Sequence, residues 1–464
     1  MNMDFNKTIG SIPDGFEMVL FPEHGISITG ASLRKYSGIC AAWLQEQGHK
    51  TIGIHIANYP EFIYLLAGAL RAGVKVVLLN ALNEVETDVP VLGREKVAEI
   101  IENQGSSPAE FSPYEWGIDE PVISIMTSGT SGVRKRIDKS IKNFFGTKGV
   151  RPWWKTLIKL FRIRVYNCAP WYHNTGIYLL LLNLSGCLFT QITTGKFNPD
   201  KMRQSINSTQ PNCILTTPTM LYRSACCGKI RLPSYIICTG EYLSDSTIDL
   251  LESNGGGHFL YSSYGTTEAG AISRLTYVFD SVKNSGKILT SFLRLSGLGG
   301  VIFKKKTRIP YCAGRIHKNV DVKVTQAGEI MVRSKVMIGG SETGHFKTGD
   351  IGYVDNGLLF ITGRSGYVIN RSGEKISPLD IEKVIAKMEG VKSVLVFGIP
   401  STTHGEDICA AIESVGGAEV VKASDLENAL PKYMIPQRYL FFDHFPLTES
   451  GKVNLKKLRT FALK

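Results

Sequence analysis

Between Ile26 and Asn80 the chain alternates two kinds of hydrophobic pattern. ASLRKYSGICAAWLQEQG carries its apolar residues at helical spacing, TIGIHIA and VKVVLLN are short apolar runs of strand length, and PEFIYLLAGALRAG is a second helix between those runs. The resulting order of strand, helix, strand, helix, strand predicts parallel strands joined by helical crossovers, and hence a layered α/β body. A second set of short strands is expected at VISIMT, RVYNCAP, CLFTQIT, CILTTP and YIICTG, each followed by a helix or a turn. After about Gly314 the pattern changes. VDVKVT, GEIMVRS, GYVDNGLLFITGR and YVINRSGEKI are short strands separated by turn residues, which predicts a small β-rich subdomain. From Ile381 follow a helix (IEKVIAKME), two strands (SVLVFGI, ICAAIES), a helix (SDLENALP), a strand (RYLFFD) and a basic tail, the makings of a separate α+β domain.

Composition narrows this picture. At 464 residues the chain is too long for one compact core. Apolar residues make up 43% and charged residues 20%, the balance of a globular protein. The longest apolar stretch, Gly176 to Phe189, is interrupted by Asn183 and Ser185 and is shorter than the roughly 20 residues that span a bilayer, so no membrane span is expected. The start MNMDFNKTIG lacks the parts of a secretory signal, which makes the cytoplasm the expected location. Nine scattered cysteines without CxxC spacing suit reduced thiols better than disulfides or zinc. The net charge of +12 gathers partly in Arg151 to Arg164 and in Lys283 to Arg308. It fits a solvated basic face, a dock for an acidic carrier protein or a phosphate-bearing thiol, or nucleic acid. There is no aromatic and glycine spacing like that of an RNA-binding sheet, and nucleic acid is not expected.

TSGTSG (Thr127 to Gly132) directly follows the strand-like VISIM and precedes Arg134, Lys135 and Arg136. Small residues let backbone N–H groups approach an anion, and the cations add charge, so this is a candidate phosphate loop. It is not the Walker form.

On this loop the chain resembles the superfamily of acyl-CoA synthetases, nonribosomal-peptide adenylation domains and luciferases, whose signature reads roughly TSGTTGxPKG. The resemblance is nearest to stand-alone acyl-CoA or aryl-acid ligases. It continues in order through YSSYGTTEAG (Tyr261 to Gly270), KTGD (Lys347 to Asp350), ITGR (Ile361 to Arg364) and PLTESGKVNLKKL (Pro446 to Leu458). It implies an N-terminal body over 1–364, holding ATP and acid and including the β-rich part from about 314, and a mobile α+β domain over 365–464. It further implies ATP and Mg²⁺ as cofactors and formation of an acyl-AMP with loss of pyrophosphate. The acyl group then passes to CoA or to the phosphopantetheine of a carrier protein.

Carried over by residue, the resemblance puts Thr127, Ser128, Gly129, Thr130, Ser131, Gly132 and Lys135 on the triphosphate. Tyr264 and Gly265 fall at adenine, Thr267 at the α-phosphate and Glu268 on Mg²⁺. An aromatic face suits a purine and a carboxylate suits magnesium. Asp350 falls at the ribose hydroxyls beside Arg364, and Gly240 and Glu241, in CTGEYL, wall the adenine and acyl pockets. Lys452 is the catalytic lysine of the first half-reaction, meeting charge as it develops between carboxylate and phosphate. Gly373, in INRSGEKISPLDIE, lines the thiol's approach, and Gly366 takes the hinge position. APWYHNTGIY (Ala169 to Tyr178) falls at the acyl pocket, with Trp171, His173 and Asn174 as its candidate walls and His173 also near the chemistry. The segment has no aspartate to grip an α-amino group, which disfavours amino acids. An aromatic or other medium-sized carboxylic acid is expected, ahead of a fatty acid. An amide-forming ligase and an inactive nucleotide-binding relative are the alternatives. Arg134 and Arg136 depart from the family's proline and glycine, and Leu82 to Tyr114 is short against it.

Overall fold

The computed structural model describes residues 2–81, 87–103, 110–128, 134–146, 162–195, 197–243, 245–255, 259–278, 301–303, 311–334, 336–337, 344–365, 367–448 and 452–463. The chain forms two compact units, one of residues 1–308, 317–320 and 333–344, the other of 309–316, 321–332 and 345–464.

The principal elements of the first unit are β1 (Glu17–Phe21), β2 (Ile26–Thr29), α1 (Gly30–Glu46), β3 (Thr51–His55), α2 (Pro60–Ala72), β4 (Lys75–Leu78), β5 (Val91–Gly93), α3 (Arg94–Asn103), β6 (Pro121–Ser128) and β7 (Arg134–Ser140). They continue with α4 (Ile141–Phe145), β8 (Arg164–Asn167), α5 (Asn174–Leu184), β9 (Thr190–Ile192), α6 (Pro199–Thr209), β10 (Cys213–Thr216), α7 (Pro218–Cys226), β11 (Tyr235–Thr239), α8 (Asp245–Ser253), β12 (Phe259–Thr266) and β13 (Gly270–Val278). Local chemistry fixes many of the helix starts. Thr29 and Ser32 form a reciprocal capping box on α1. Asn198 and Thr217 cap α6 and α7 with their side chains, each just before a proline at the first helical position.

Two sheets result. One runs β5-β3-β4-β6-β7, parallel except for the antiparallel β6/β7 pair. The other contains the run β13-β12-β11-β10-β8-β9-β1-β2, parallel from β12 through β1 and antiparallel at both ends. The expected layered α/β body is therefore present, with mixed rather than purely parallel sheets. One contiguous core draws on both sheets and the helices beside them, with Phe21, Ile54, Val76, Leu33, Leu66 and Leu180 all at 1% exposure or less.

The β-rich part, whose residues fall mostly in the second unit, comprises β14 (Cys312–Ile316), β15 (Val320–Val324), β16 (Glu329–Ser334), β17 (Phe346–Asp355) and β18 (Leu358–Arg364). β17 and β18 form a hairpin whose turn, Asn356–Gly357, takes positive φ at both residues, as a tight two-residue hairpin turn demands. The C-terminal part comprises β19 (Ile369–Arg371), β20 (Glu374–Ile376), α9 (Pro378–Ile385), β21 (Val391–Ser401), β22 (Gly405–Ser414), β23 (Arg438–Phe442) and α10 (Leu455–Ala462). Its sheet runs β20-β19-β22-β21, with β23 joining β22 in parallel. Ile381 and Ile385 of α9 pack with Val396, Ile408 and Ile412 in its core.

None of the nine cysteines forms a disulfide, and Cys226 and Cys227 are exposed at the end of α7. Burial pushes the Cys168 thiol up to about 11 and the Cys238 thiol further still. No helix among the described residues is long and apolar enough to cross a membrane.

Candidate active site

Parallel strands deliver their C-terminal ends to one edge, and in open α/β sheets that edge is where ligands bind. The register makes the delivery concrete. Asn167 of β8 lies opposite Leu215 of β10, Thr216 opposite Cys238 of β11, and Thr239 opposite Ser263 of β12. Cys168 to Asn174 and Gly240–Glu241 therefore leave the sheet along one edge, and Tyr264 to Thr266 run on past β11 at that edge, still paired with β13, to the Thr267–Glu268 turn. These are the sequence-predicted adenine, phosphate and acyl positions of the first unit.

Gly240 turns the chain with φ of +86°, and the Glu241 carboxylate accepts from the Thr219 N–H at 3.1 Å, fastening this strand exit to the start of α7. Tyr264 and Gly265 flank a bulge in the β12/β13 pair. A Cβ on Gly265 would sit 2.3 Å from the Gly270 carbonyl oxygen, so this position excludes every side chain. The Thr266 hydroxyl accepts from the Ala269 N–H at 3.0 Å and closes the turn that presents Thr267 and Glu268. Both of these residues, like Tyr264, are partly exposed.

Around the phosphate loop, β6 and β7 pair antiparallel with Thr127 opposite Lys135 and Ser128 opposite Arg134. Gly129, Thr130, Ser131 and Gly132 lie outside the described residues. Lys135 is exposed on β7. Arg136, which stands where the family resemblance expects glycine, places its Nε 3.2 Å from Ser124 Oγ and 3.6 Å from Asp138 Oδ1. Lys75 Nζ meets Asp138 Oδ2 at 2.6 Å, and Ser124 donates to Asp138 Oδ1 at 2.6 Å. Burial pushes the Asp138 carboxyl up, but the hydrogen bonds from Lys75 and Ser124 and the charges of Lys75 and Arg136 together hold it below the usual range.

The segment expected at the acyl pocket separates into core and half-buried residues. Trp171 is fully buried, its ring 5.9 Å from that of Phe21 and 5.3 Å from that of Phe62, so its indole belongs to the core. Its backbone N–H donates to Asn58 Oδ1 at 2.9 Å, and Asn58 Nδ2 donates to the Ala169 carbonyl at 3.2 Å, which pins the loop entering α5. His173 is the N-cap of α5 but its side chain caps nothing, and its ring lies 4.7 Å from that of Tyr172. Asn174 opens the helix, and its Oδ1 accepts a hydrogen bond.

The donor is Lys139, a residue that sequence reasoning missed. It lies on β7 opposite Ile123, is only 2% exposed, and donates from Nζ to Asn174 Oδ1 at 2.7 Å and to the Thr267 carbonyl at 3.0 Å. The ammonium also stands 4.9 Å from the centre of the Phe144 ring. One side chain thus joins the β6/β7 hairpin, α5 and the Thr267–Glu268 turn. Burial pulls the Lys139 ammonium down to about 8, against the opposing charge of Glu268. A signal was present: in the alternation Ile137, Lys139, Ile141 the lysine occupies a core-facing phase.

In the second unit Asp350 and Arg364 lie directly across the β17/β18 pair, with Arg364 Nε 3.4 Å from Asp350 Oδ1. The Asp350 N–H donates to Thr348 Oγ1 at 3.1 Å, and that hydroxyl donates to the Ile330 carbonyl at 2.9 Å. Gly373, with φ of +89°, sits in the β19/β20 turn with nothing within 4 Å of the place a Cβ would take. Gly366 lies outside the described residues. Lys452 closes a loop: its N–H donates to Thr448 Oγ1 at 3.2 Å and its carbonyl accepts from the Thr448 N–H at 2.7 Å.

The AMP-binding enzyme family model matches residues 83–340, more than half of the chain, and the model of the AMP-binding enzyme C-terminal domain matches residues 380–452. The chain belongs to the AMP-binding enzyme family. Among relatives of this AMP-binding enzyme, 2-succinylbenzoate–CoA ligase of Listeria monocytogenes is 26% identical over 365 residues, 74% of this chain and 71% of that one. Oxalate–CoA ligase of Arabidopsis thaliana is 41% identical over 119 residues, 25% of this chain and 23% of that one. Among solved structures, ATP-bound MatB from Rhodopseudomonas palustris superposes with a TM-score of 0.77 at 20% identity, covering 99% of both chains. The o-succinylbenzoate CoA synthetase MenE from Bacillus subtilis, in complex with its acyl-adenylate, gives 0.73 at 20% identity over 99% of this chain and 98% of that one. These structures share the fold.

Among the described residues no group of three or more His, Cys, Asp or Glu side chains could by itself hold a metal ion. A single accessible carboxylate at the Glu268 turn fits Mg²⁺, which keeps most of its shell as water and phosphate oxygens and takes one or two carboxylates from a protein.

Proposed function

We propose that this AMP-binding enzyme is an acid–CoA ligase. In the first step a carboxylate oxygen of the acid attacks the α-phosphorus of ATP, the bond between the α-phosphorus and the bridging oxygen breaks, and pyrophosphate leaves. In the second the thiol sulfur of CoA attacks the acyl carbon, the thiol proton is lost, and AMP leaves. The free acid is a poor electrophile, and the mixed anhydride supplies the leaving group that the thiol needs.

The observation that carries this reading is the convergence of Gly240–Glu241, Tyr264 to Glu268 and Asn174 at the C-terminal edge of the parallel strands β8, β10, β11 and β12. Tyr264 would stack on adenine, the Thr267 hydroxyl would donate to the α-phosphate, and Glu268 would hold Mg²⁺, which when bound screens the phosphate charge. Asp350 would accept from the ribose hydroxyls and Arg364 would keep that carboxylate oriented. Lys452, from the domain over 365–464, would meet the charge passing from acid to phosphate. His173 and Asn174 would face the acid, and Gly373 would leave room for the thiol. The CoA-ligase relatives favour CoA over a carrier protein as acceptor, and the 2-succinylbenzoate ligases support an aromatic acid.

Acid-dependent exchange of labelled pyrophosphate into ATP tests the reading. Exchange is expected with at least one aryl or short-chain acid, followed by AMP release on addition of CoA. Exchange with no acid across aryl, alicyclic, short-chain and fatty panels would overturn it.

A further inference from the structure

Lys139 is a buried cation whose neighbours are mostly neutral. Its Nζ has three protons to donate, and its two acceptors are the amide oxygen of Asn174 and the backbone carbonyl of Thr267. Among the described residues no carboxylate comes within ion-pair distance, and the opposing charge that acts on it through space is Glu268. A buried ammonium without a direct counter-ion is strongly disfavoured, and the Phe144 ring returns only part of the lost hydration. Moreover, Glu268 is the carboxylate proposed to hold Mg²⁺. With Mg²⁺ bound, that carboxylate would compensate the ammonium less.

A second feature at the same spot has the same sign. α5 begins at Asn174, and the side chain of its N-cap residue, His173, makes no capping hydrogen bond. The positive end of an eleven-residue helix and a buried ammonium therefore meet at one residue. Both favour an anion there.

The reacting carboxylate is a poor candidate for that anion. It gives up its charge on adenylation, so an ammonium holding it tightly would stabilise the ground state more than the transition state. A group that stays charged through both half-reactions is the better match.

We infer that Lys139, beside the N-terminus of α5 that no side chain caps, binds a second, non-reacting carboxylate, and that the acid this enzyme activates is a dicarboxylic acid. The inference deepens the ligase reading and rests on it. Lys139 is a specificity-determining residue here; the chemistry remains with Lys452 and the Thr267–Glu268 turn.

The test is pyrophosphate exchange with matched pairs, each pair a diacid (2-succinylbenzoate, phthalate, malonate, oxalate) and its two mono-amides. For at least one pair the wild-type kcat/KM is expected to favour the diacid by about a hundredfold, the usual scale for removing one partner of a buried charge pair. In Lys139→Met, which fills the space without the charge, that ratio should fall to within a few-fold, chiefly through KM, and Lys139→Arg should restore part of it. A wild-type preference for mono-amides or monocarboxylic acids would overturn the inference while leaving the ligase reading intact. So would an equal loss of exchange on diacid and mono-amide in Lys139→Met, which marks a residue that only braces the Thr267 turn. Exchange with no acid at all would overturn both. Should the methionine variant fail to fold, the wild-type diacid-to-amide ratio alone decides.

Discussion

Replacing Glu382 by glutamine should stabilise the C-terminal part of the protein at pH 8 and do little near pH 4.5. Glu382 lies on α9 between core residues Ile381 and Ile385, and its Oε1 accepts from the Val396 N–H at 2.7 Å. Burial raises its carboxyl from an ordinary 4.5 to about 7, although the Val396 hydrogen bond pulls the other way. In the unfolded chain the proton leaves near 4.5 and in the folded protein near 7. Between those values the folded state holds more protons, so stability falls as pH rises through the window, and above about 7 the full cost is present. At about 1.4 kcal/mol per pH unit that cost is roughly 3 kcal/mol. Glutamine keeps an acceptor for Val396 and cannot ionise. Part of the residue still touches water and the new amide N–H groups need partners, so the expected gain at pH 8 is about 1 to 2 kcal/mol. Hydrogen exchange followed by mass spectrometry on peptides covering α9 and β21, wild type against variant at both pH values, reads the difference locally. Equal protection changes at the two pH values, or a loss at pH 8, would refute the reasoning.

Lys452→Ala should lower acid-dependent pyrophosphate exchange by about a thousandfold, the upper range for losing one preorganised electrostatic group, while capture of preformed acyl-AMP by CoA continues; equal loss of both steps would remove Lys452 from the first half-reaction. Gly265→Ala forces a methyl group against the Gly270 carbonyl and should cost about 1 to 3 kcal/mol of stability and raise KM for ATP, so an unchanged melting temperature and KM would argue against the close contact. Asp350→Asn should raise KM for ATP about tenfold with little change in kcat for saturating nucleotide, and an effect confined to the acid's KM would move Asp350 away from the ribose.

Much of the fold was legible because its signals are local. TIGIHIA, PEFIYLLAGALRAG and VKVVLLN became β3, α2 and β4 in order, and VDVKVT, GEIMVRS and GYVDNGLLFITGR became β15 to β18, while YVINRSGEKI formed β19 and β20 of the C-terminal sheet. What stayed hidden depends on distant partners. RKRIDKS reads as a run of charge, yet it forms β7, because Asp138 is neutralised by Lys75, 63 residues earlier, and Arg136 turns back onto the same carboxylate. That pairing also makes the sheet mixed rather than parallel. Trp171 looks like a pocket wall beside His173 and Asn174, but no sequence period tells which way a loop aromatic faces, and its indole fills the core between Phe21 and Phe62. Lys139 was the opposite case. Its phase along the strand pointed inward, and its charge drew attention outward.

The buried thiols bear on how long such an enzyme survives its own intermediate. An acyl-adenylate acylates any thiolate it meets, and Cys168 and Cys238 lie next to the strand exits that carry the acyl-pocket segment and Gly240. Burial keeps both protonated at neutral pH, and Cys168 Sγ is further engaged with Thr216 Oγ1 at 3.2 Å. At these two strand exits the activated acyl group then meets no thiolate of the protein, and packing alone guards Cys168 and Cys238 against acylation.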